Sequence, residues 1–346
     1  MSSVARKVRF RDARVEMAHG AGGKASRRLI DGLFAPILFG SSTEPLGDAA
    51  HLSIDGARIA FTTDSFVVRP LRFPGGSIGE LAVNGTVNDL AVSGARADTL
   101  VSSYVLEAGL TTEILEGEIR AMAAAAERAG VRIAGGDTKV VEHGKADGIY
   151  ITTAGIGRAI PELNISPARV KIGDQVILSG PIGDHGITIL LARGELDLEA
   201  DLKSDTRSVL PMVEALARAA GDGVHWMRDP TRGGVATSLN ELVLDCGLAA
   251  MIAEEKIPVR DTVRGACELL GLDPLHIANE GQFLAVVAAD CAASALAALH
   301  ETPGGECAAI IGEIAAQPAA AVVVKTLYGG TRIVDMLVGD PLPRIC

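Results

Sequence analysis

Strand-like and helix-like runs alternate along the whole chain, with no internal repeat and no low-complexity block, which places it in the mixed α/β class. A Gly-rich turn, "HGAGGKAS", precedes a helix-like stretch, "RRLIDGLFAPIL". The next segment, "HLSIDGARIAFTTD", is two alternating runs joined by Asp55-Gly56, a hairpin signal because a tight turn between antiparallel strands needs residues that tolerate positive φ. In "TTEILEGEIRAMAAAAERAG", Thr112 reads as a cap, Leu115, Ile119 and Met122 recur at helical spacing, and Gly130 is a stop. The strand "VRIAGGD" is expected to end in its glycines, and "GIYITTAGIGRAI" is another strand. The polar, two-proline segment "PELNISPARVKIGD" marks a domain boundary.

Beyond it, "QVILSGPIGDHGITILLARG" reads as strand, Gly-rich turn and helix. Helices are expected at "SVLPMVEALARAAG", "GGVATSLNELVLDCG" and "CAASALAALHE", with strands at "QFLAVVAA", "CAAIIGEI" and "AAVVVKTLYG". From "GGTRIVD" onward there is no partner pattern, and Pro341 and Pro343 favour an extended, mobile tail. The expected units are residues 1–160, 161–332 and a tail over 333–346.

The length, 346 residues with 48% hydrophobic, suits two domains, each able to bury a core. A net charge of -11 and the lack of any basic run argue against a nucleic-acid partner, whose phosphates would call for clustered Lys and Arg. No apolar run approaches the roughly 18 residues a membrane span needs, and the start lacks a signal-peptide core, so a cytoplasmic location is expected. The five cysteines form no C-x-x-C pair. Cys246, Cys267 and Cys291 sit in apolar contexts and read as small core residues, whereas Cys346, in "PLPRIC", reads as an exposed thiol.

Several motifs fail informatively. "GAGGKA" fits a loose dinucleotide pattern, but a hairpin follows its helix where a parallel crossover is required. It is no P-loop either, since Ala25 follows Lys24 where Ser or Thr must bind magnesium. There is no H-E-x-x-H. What remains is a set of aspartates at element ends: Asp48, Asp64, Asp89 and Asp137. Carboxylates converging from several elements without local basic partners suit magnesium and a polyphosphate, although each alone is also an ordinary turn or cap residue. The turn "RDPTRGG", with Thr231, Arg232, Gly233 and Gly234 before a helix, suits an anion.

On "HGAGG", "TTDSFVV", "FPGGSIGELAVNGTVNDLAVSGA", "GDTKVV", "SGPIGDHG", "RDPTRGGV", "CELLGLDPLHIANEG" and the terminal "PRIC", the chain resembles the HypE family of hydrogenase maturation factors. That family lies within the aminoimidazole ribonucleotide synthetase (PurM-like) superfamily, which also holds selenophosphate synthetase and thiamine-monophosphate kinase. The resemblance implies a PurM-like pair of α/β domains, the first pairing its sheet in a homodimer and the second an α/β sandwich. ATP would sit between the domains, with the tail reaching in. The implied activity is ATP-dependent dehydration of a thiocarboxamide on Cys346 to a thiocyanate, which supplies cyanide to the iron of [NiFe] hydrogenase. The implied partners are the carbamoyltransferase HypF and the HypC and HypD scaffold.

The same resemblance assigns magnesium to Asp48, Asp64, Asp89 and Asp137, and catalysis to Cys346, Glu280 and Lys139. Nucleotide contacts go to Asp64, Asn88, Asp89, Asp137, Thr138, Lys139, Asp229 and Thr231. His185 would contact phosphate or pack, and the loop with His19 and Lys24 would close over the nucleotide. A selenophosphate synthetase would carry a reactive Cys near the Gly-rich loop, whereas the first cysteine here is Cys246. A thiamine-type kinase would have no need of Cys346.

Overall fold

The computed structural model describes residues 9–39, 46–194, 200–339, 342 and 344–346. The Gly-rich segment forms a short turn, Met17–Gly20, and leads into α1 (Lys24–Leu29), which widens through one π turn and ends as α2 (Ala35–Leu38). Strands β1 (Ala50–Ile54) and β2 (Ala57–Phe66) pair antiparallel around Asp55 and Gly56, both left-handed at φ 50° and 83°, as the expected hairpin requires. A two-rung ladder, β3 (Arg72–Phe73) with β4 (Gly76–Ser77), precedes α3 (Ile78–Val92). Strand β5 (Ala95–Glu107), α4 (Thr112–Ala129) and β6 (Arg132–Val141) form a parallel crossover, and β7 (Ile149–Ala159) returns between β2 and β5. The sheet order is β1-β2-β7-β5-β6.

Two local expectations shift. The cap of α4 is Thr111, whose hydroxyl accepts from the Ile114 amide at 3.4 Å, because Thr112 is already helical; Gly130 ends the helix at φ 66° as expected. Strand β6 runs through its glycines to Val141. A Cβ at Gly136 would lie 1.8 Å from the Ser102 carbonyl, so this glycine lets β5 and β6 approach and continues the strand.

Helix α3 organises the molecule. Of its fifteen residues only Glu80 and Asp89 are not fully buried, the signature of a helix surrounded by core. Leu81, Ala82 and Leu90 pack with Leu100 and Ile151 of the first sheet, while Ala91 and Val92 join the core of the second domain. Its buried polar groups must therefore find partners. Thr86 bonds Thr153 at 2.5 Å, and Asn84 donates to Thr206 at 3.1 Å.

The second sheet begins with β8 (Gln175–Leu178), followed by α5 (Asp184–Ala192), α6 (Leu210–Ala220), β9 (Val224–Arg228), α7 (Gly234–Cys246) and β10 (Ala249–Ala253). It continues with α8 (Asp261–Leu270), β11 (Leu284–Val287), α9 (Ala292–His300), β12 (Ala309–Ala315), β13 (Ala321–Lys325) and β14 (Thr331–Val334). Its order is β14-β13-β10-β12-β8-β11-β9, with only β10 and β13 parallel. Leu239 and Val243 of α7 cover one face, and Val213 and Leu216 of α6 with Leu299 of α9 cover the other.

The tail departs most from expectation. Thr331–Val334 is an edge strand on β13, so the chain beyond Gly330 does have a partner. Leu342 and Ile345 are buried at 4% exposure each, because the seat lies against both domains and its apolar lining is assembled only in the fold. Pro341 and Pro343 lie outside the described residues.

Candidate active site

Three carboxylates from distant elements meet beside the end of α3. Asp48 stands just before β1, Asp89 in the last turn of α3, and Asp229 just after β9; one oxygen of each lies within 4.8 Å of the others. Thr62 of β2 ties the group together, its hydroxyl donating to Asp89 at 2.9 Å and lying 2.6 Å from the Asp48 carbonyl. Burial and the neighbouring Asp229, Asp48 and Asp64 charges push Asp89 well above the ordinary carboxylate range. Burial and Asp48 do the same to Asp229. Asp48 is raised to about 6 by burial, opposed by Arg228, whose guanidinium is 3.0 Å from it and also 3.0 Å from Glu241. Mutually repelling, dehydrated carboxylates of this kind offer oxygen ligands to a hard divalent cation such as Mg2+, whose charge would offset theirs.

Glu280 lies at the other side of the site on a clamped loop. The Asp205 carboxylate accepts from the Glu280 and Gly281 amides at 3.0 and 3.2 Å. Arg207 donates to the Gly281 carbonyl at 3.0 Å, and a Cβ at Gly281 would strike the Asp205 carbonyl at 1.8 Å. The backbone is thus held while the side chain is not: Oε1 of Glu280 is buried without a hydrogen-bond partner among the described residues. Burial, then Asp229, Asp64 and Asp205, raise its pKa well above the usual value, against the pull of Arg232. Arg232 is itself held in its charged form first by Cys346 and then, against burial, by Asp64 and Glu280. Cys346 is half-buried at this place.

The remaining expected residues divide. Asp64, on β2, adds its charge to those around Asp89, and its oxygen accepts from the Ser65 amide at 2.7 Å. Asn88 faces the second domain. It donates to the Arg207 and Glu280 carbonyls at 2.9 and 3.1 Å and accepts from the Val209 amide at 2.8 Å, which occupies both of its N-H groups.

Asp137, Thr138 and Lys139 do not join the cluster within one chain. They lie on β6, three strands from β2 or roughly 14 Å at ordinary strand spacing, and Asp137 pairs with Lys139 at 3.0 Å. Thr231 is half-buried in the turn before α7, where its carbonyl accepts from Gly234 at 2.9 Å.

The Gly-rich loop grips the tail. The Lys24 amide donates to the Leu337 carbonyl at 2.8 Å, Lys24 Nζ pairs with Asp335 at 2.5 Å, and a Cβ at Gly23 would lie 2.2 Å from the Leu337 oxygen. His19 is buried, accepting from the Glu16 amide at 2.9 Å and bonding Asp12 at 2.8 Å. Thr62, Asp205, Arg207 and Arg228 were not anticipated. The polar run "SDTRS" just before α6 is the one local hint, since its partners lie about 75 positions away.

Residues 46–159 and 171–325 match the N-terminal and C-terminal domains of the AIR synthase related proteins. Over 340 residues, 98% of this chain and 99% of its relative, the sequence is 46% identical to the carbamoyl dehydratase HypE of Azotobacter vinelandii. The chain belongs to the HypE family. The Escherichia coli K12 HypE is 42% identical over 337 residues, covering 96% of this chain and 99% of its own. Among solved structures, HypE in a HypE–HypF complex superposes with a TM-score of 0.84 at 43% identity, covering 89% of this chain and 99% of that one.

HypE in complex with ATP gives 0.80 at 44% identity, covering 95% and 99%. The thiamine monophosphate kinase of Aquifex aeolicus, at 18% identity and TM-score 0.65, shares the fold alone. The mixed α/β HypE fold expected from the sequence is therefore the one observed. Among the described residues, no helix is long and apolar enough to cross a membrane.

Proposed function

We propose that this chain carries a carbamoyl group on Cys346 and, with ATP, dehydrates it to a thiocyanate that supplies cyanide for the iron of [NiFe] hydrogenase. The carrying observation is the seating of the tail end, with Ile345 bonded to His185 and Cys346 to the Val67 amide, within electrostatic reach of Arg232, while Glu280 presents a buried oxygen without a partner among the described residues and Asp48, Asp89 and Asp229 complete the surroundings. The carbamoyl oxygen attacks the γ-phosphorus, an O–P bond forms, and the bond to the departing ADP oxygen breaks. The C–O bond then breaks as phosphate leaves, the nitrogen gives up its two protons, and C≡N remains on sulfur.

Glu280, whose carboxylate is a stronger base for being buried among other acids, takes an N-H proton. Arg232 faces the charge that develops on the oxygen and phosphate. Asp48, Asp89 and Asp229, with Asp64 beside them, fit Mg2+, which when bound would neutralise phosphate charge.

A homodimer accounts for Asp137, Thr138 and Lys139. The outward face of the first sheet exposes Leu52, Phe61, Val101 and Ile156, each between 41% and 47% accessible, and residues Asp137 and Lys139 share that face. A largely antiparallel sheet with an apolar second face calls for a cover. A second copy there would bring Lys139 of one chain to the site of the other, to orient the transferred phosphoryl group. HypF as carbamoyl donor, the HypC and HypD scaffold as acceptor, and a cytoplasmic location complete the reading; the relative solved with HypF and the one solved with ATP support its first two steps.

The test is intact mass with a C-terminal peptide map after incubation with HypF, carbamoyl phosphate and ATP, and then with fresh ATP and magnesium. The expected result is a gain of about 43 Da on Cys346 that becomes about 25 Da, as thiol proton is replaced by carbamoyl and then cyano. ATP consumption with an unmodified Cys346 would overturn the proposal.

A further inference from the structure

The buried imidazole of His185, in the first turn of α5, is held from both sides. Its Nε2 lies 3.0 Å from the Ile345 carbonyl, and its Nδ1 lies 2.7 Å from Ser204 Oγ. A carbonyl only accepts, so Nε2 carries the hydrogen and Nδ1 accepts from the serine hydroxyl. Ser204 is itself placed: its amide donates to the Pro74 carbonyl at 2.9 Å, and its oxygen accepts from the Thr206 amide at 3.1 Å. Phe73 meets the ring edge-on at 5.6 Å between centroids. No phosphate-binding role is left for this ring, because both nitrogens are spoken for.

The bonded carbonyl belongs to the residue just before the thiol carrier. Around it, Arg193 donates to the Arg344 carbonyl at 2.9 Å, the Arg69 amide donates to the same oxygen at 3.4 Å, and Arg344 pairs with Asp147. Those contacts lie two residues from Cys346 on exposed or half-buried side chains. The His185 bond is buried and falls on the residue next to the thiol carrier, whose own main-chain oxygen accepts from the Val67 amide at 3.1 Å.

We propose that His185 is a positioning residue for the dehydration: its Nε2–H sets the register of the tail, so that the carbamoyl group on Cys346 stands against Arg232 and Glu280. It touches neither nucleotide nor reacting atoms and acts through the tail backbone alone. The chain turns at Arg344, φ 60°, just before Ile345, and a displacement of about 1 Å at a reacting group can cost on the order of 10²-fold in rate, so the fixed Ile345 carbonyl, with the Val67 bond to Cys346, has leverage over the whole reaction. The inference rests on the dehydratase reading above.

The test compares full-length wild type with His185→Phe, which keeps a ring without a donor, and His185→Gln, whose amide can replace the Nε2 hydrogen. Two readouts are taken on each. The first is the rate at which iodoacetamide alkylates Cys346, followed by peptide mapping so that Cys307 and the other thiols do not interfere. The second is the single-turnover rate of thiocyanate formation at saturating ATP, alongside ATP affinity.

His185→Phe should alkylate faster at Cys346 and form thiocyanate about tenfold more slowly, the loss of one buried hydrogen bond, with ATP affinity unchanged. His185→Gln should recover most of both. Should His185→Phe fail to fold, Ser204→Ala decides, because it frees Nδ1, allows the wrong tautomer and should shift alkylation in the same direction. Wild-type alkylation and turnover in the donor-less variants would overturn the assignment. If wild type itself forms no thiocyanate, the dehydratase reading fails, while the alkylation comparison still judges the role of His185.

Discussion

The amide of Val67, one residue past the strand that carries Asp64, donates to the main-chain oxygen of Cys346 across 3.1 Å. The last residue of the sequence is thereby tied to the first domain, while His185 and Arg193 tie its neighbours to the second. A thiol held from both domains can be aimed; a thiol on a free arm cannot. Burial of Leu342 and Ile345 contributes about 1.5–3 kcal/mol each to this seat, so leaving it for a carbamoyl donor is a costly but reachable excursion.

Replacing Asp89 by Asn should weaken Mg2+ binding, since a divalent site that loses one of three carboxylates leaves positive charge under-compensated. We expect the magnesium needed to support ATP binding to rise by at least about tenfold, the effect of roughly 1.4 kcal/mol. Calorimetric titration of ATP at several magnesium concentrations reads this directly, and an unchanged requirement would remove Asp89 from the site.

The carboxylates also set a pH dependence. Asp48 and Asp205 are raised to about 6, so in the metal-free protein their contribution to stability is full below the unfolded carboxylate range and is lost as pH rises through about 6. A Mg2+ held by the cluster would bind its deprotonated form, so the stabilisation it gives should be small near about pH 5 and should grow toward about pH 8. Thermal unfolding with and without Mg2+ across that range gives the measurement; a magnesium increment independent of pH contradicts the assignment.

Asn88→Ala should behave as a loosened hinge between domains. It strands the Val209 amide, the Glu280 carbonyl and the part-buried Arg207 carbonyl, at a cost of about 1–3 kcal/mol per fully buried unsatisfied group before local relaxation. A lowered unfolding midpoint with ATP affinity per folded molecule within about threefold is expected; a loss confined to nucleotide affinity would show that Asn88 is a ligand after all.

Mixed dimers test the placement of Lys139. Glu280→Gln should bind ATP yet lose about 10²–10⁴ of the dehydration rate, and Lys139→Ala should also be impaired. If Lys139 serves the site of the other copy, refolding the two variants together puts both defects in one site of each mixed dimer and leaves the other intact. Random pairing then restores about a quarter of wild-type activity. Activity that stays at the level of the separate variants would sink the shared site.

Local chemistry was enough for much of this architecture. Asp55-Gly56 demanded a hairpin, the periodicity of Leu115, Ile119 and Met122 demanded a helix, and both stand where expected because their determinants lie within a few residues. Strands β9 and β10 were not anticipated, since short runs such as "VHWMR" and "AAMIA" are buried without alternation and carry no distinguishing period; helix α8 was missed although Val263, Ala266 and Cys267 recur at helical spacing. Glu280 was legible only through the family resemblance; as a loop acid it has no local mark.

The sequence by itself determined the class of the chain, its two mixed α/β halves and its family, because these depend on residue type and order. Only the tertiary structure decided which aspartates share a site: Asp229 joins Asp48 and Asp89, while Asp137 stands three strands away on the outward face. It alone gave the tail a seat and His185 a partner 160 positions distant. The physical reason is common to all three. Carboxylate repulsion, burial and hydrogen bonding act through distances of a few ångströms, and those distances are set by how the sheets and α3 pack, not by separation along the chain.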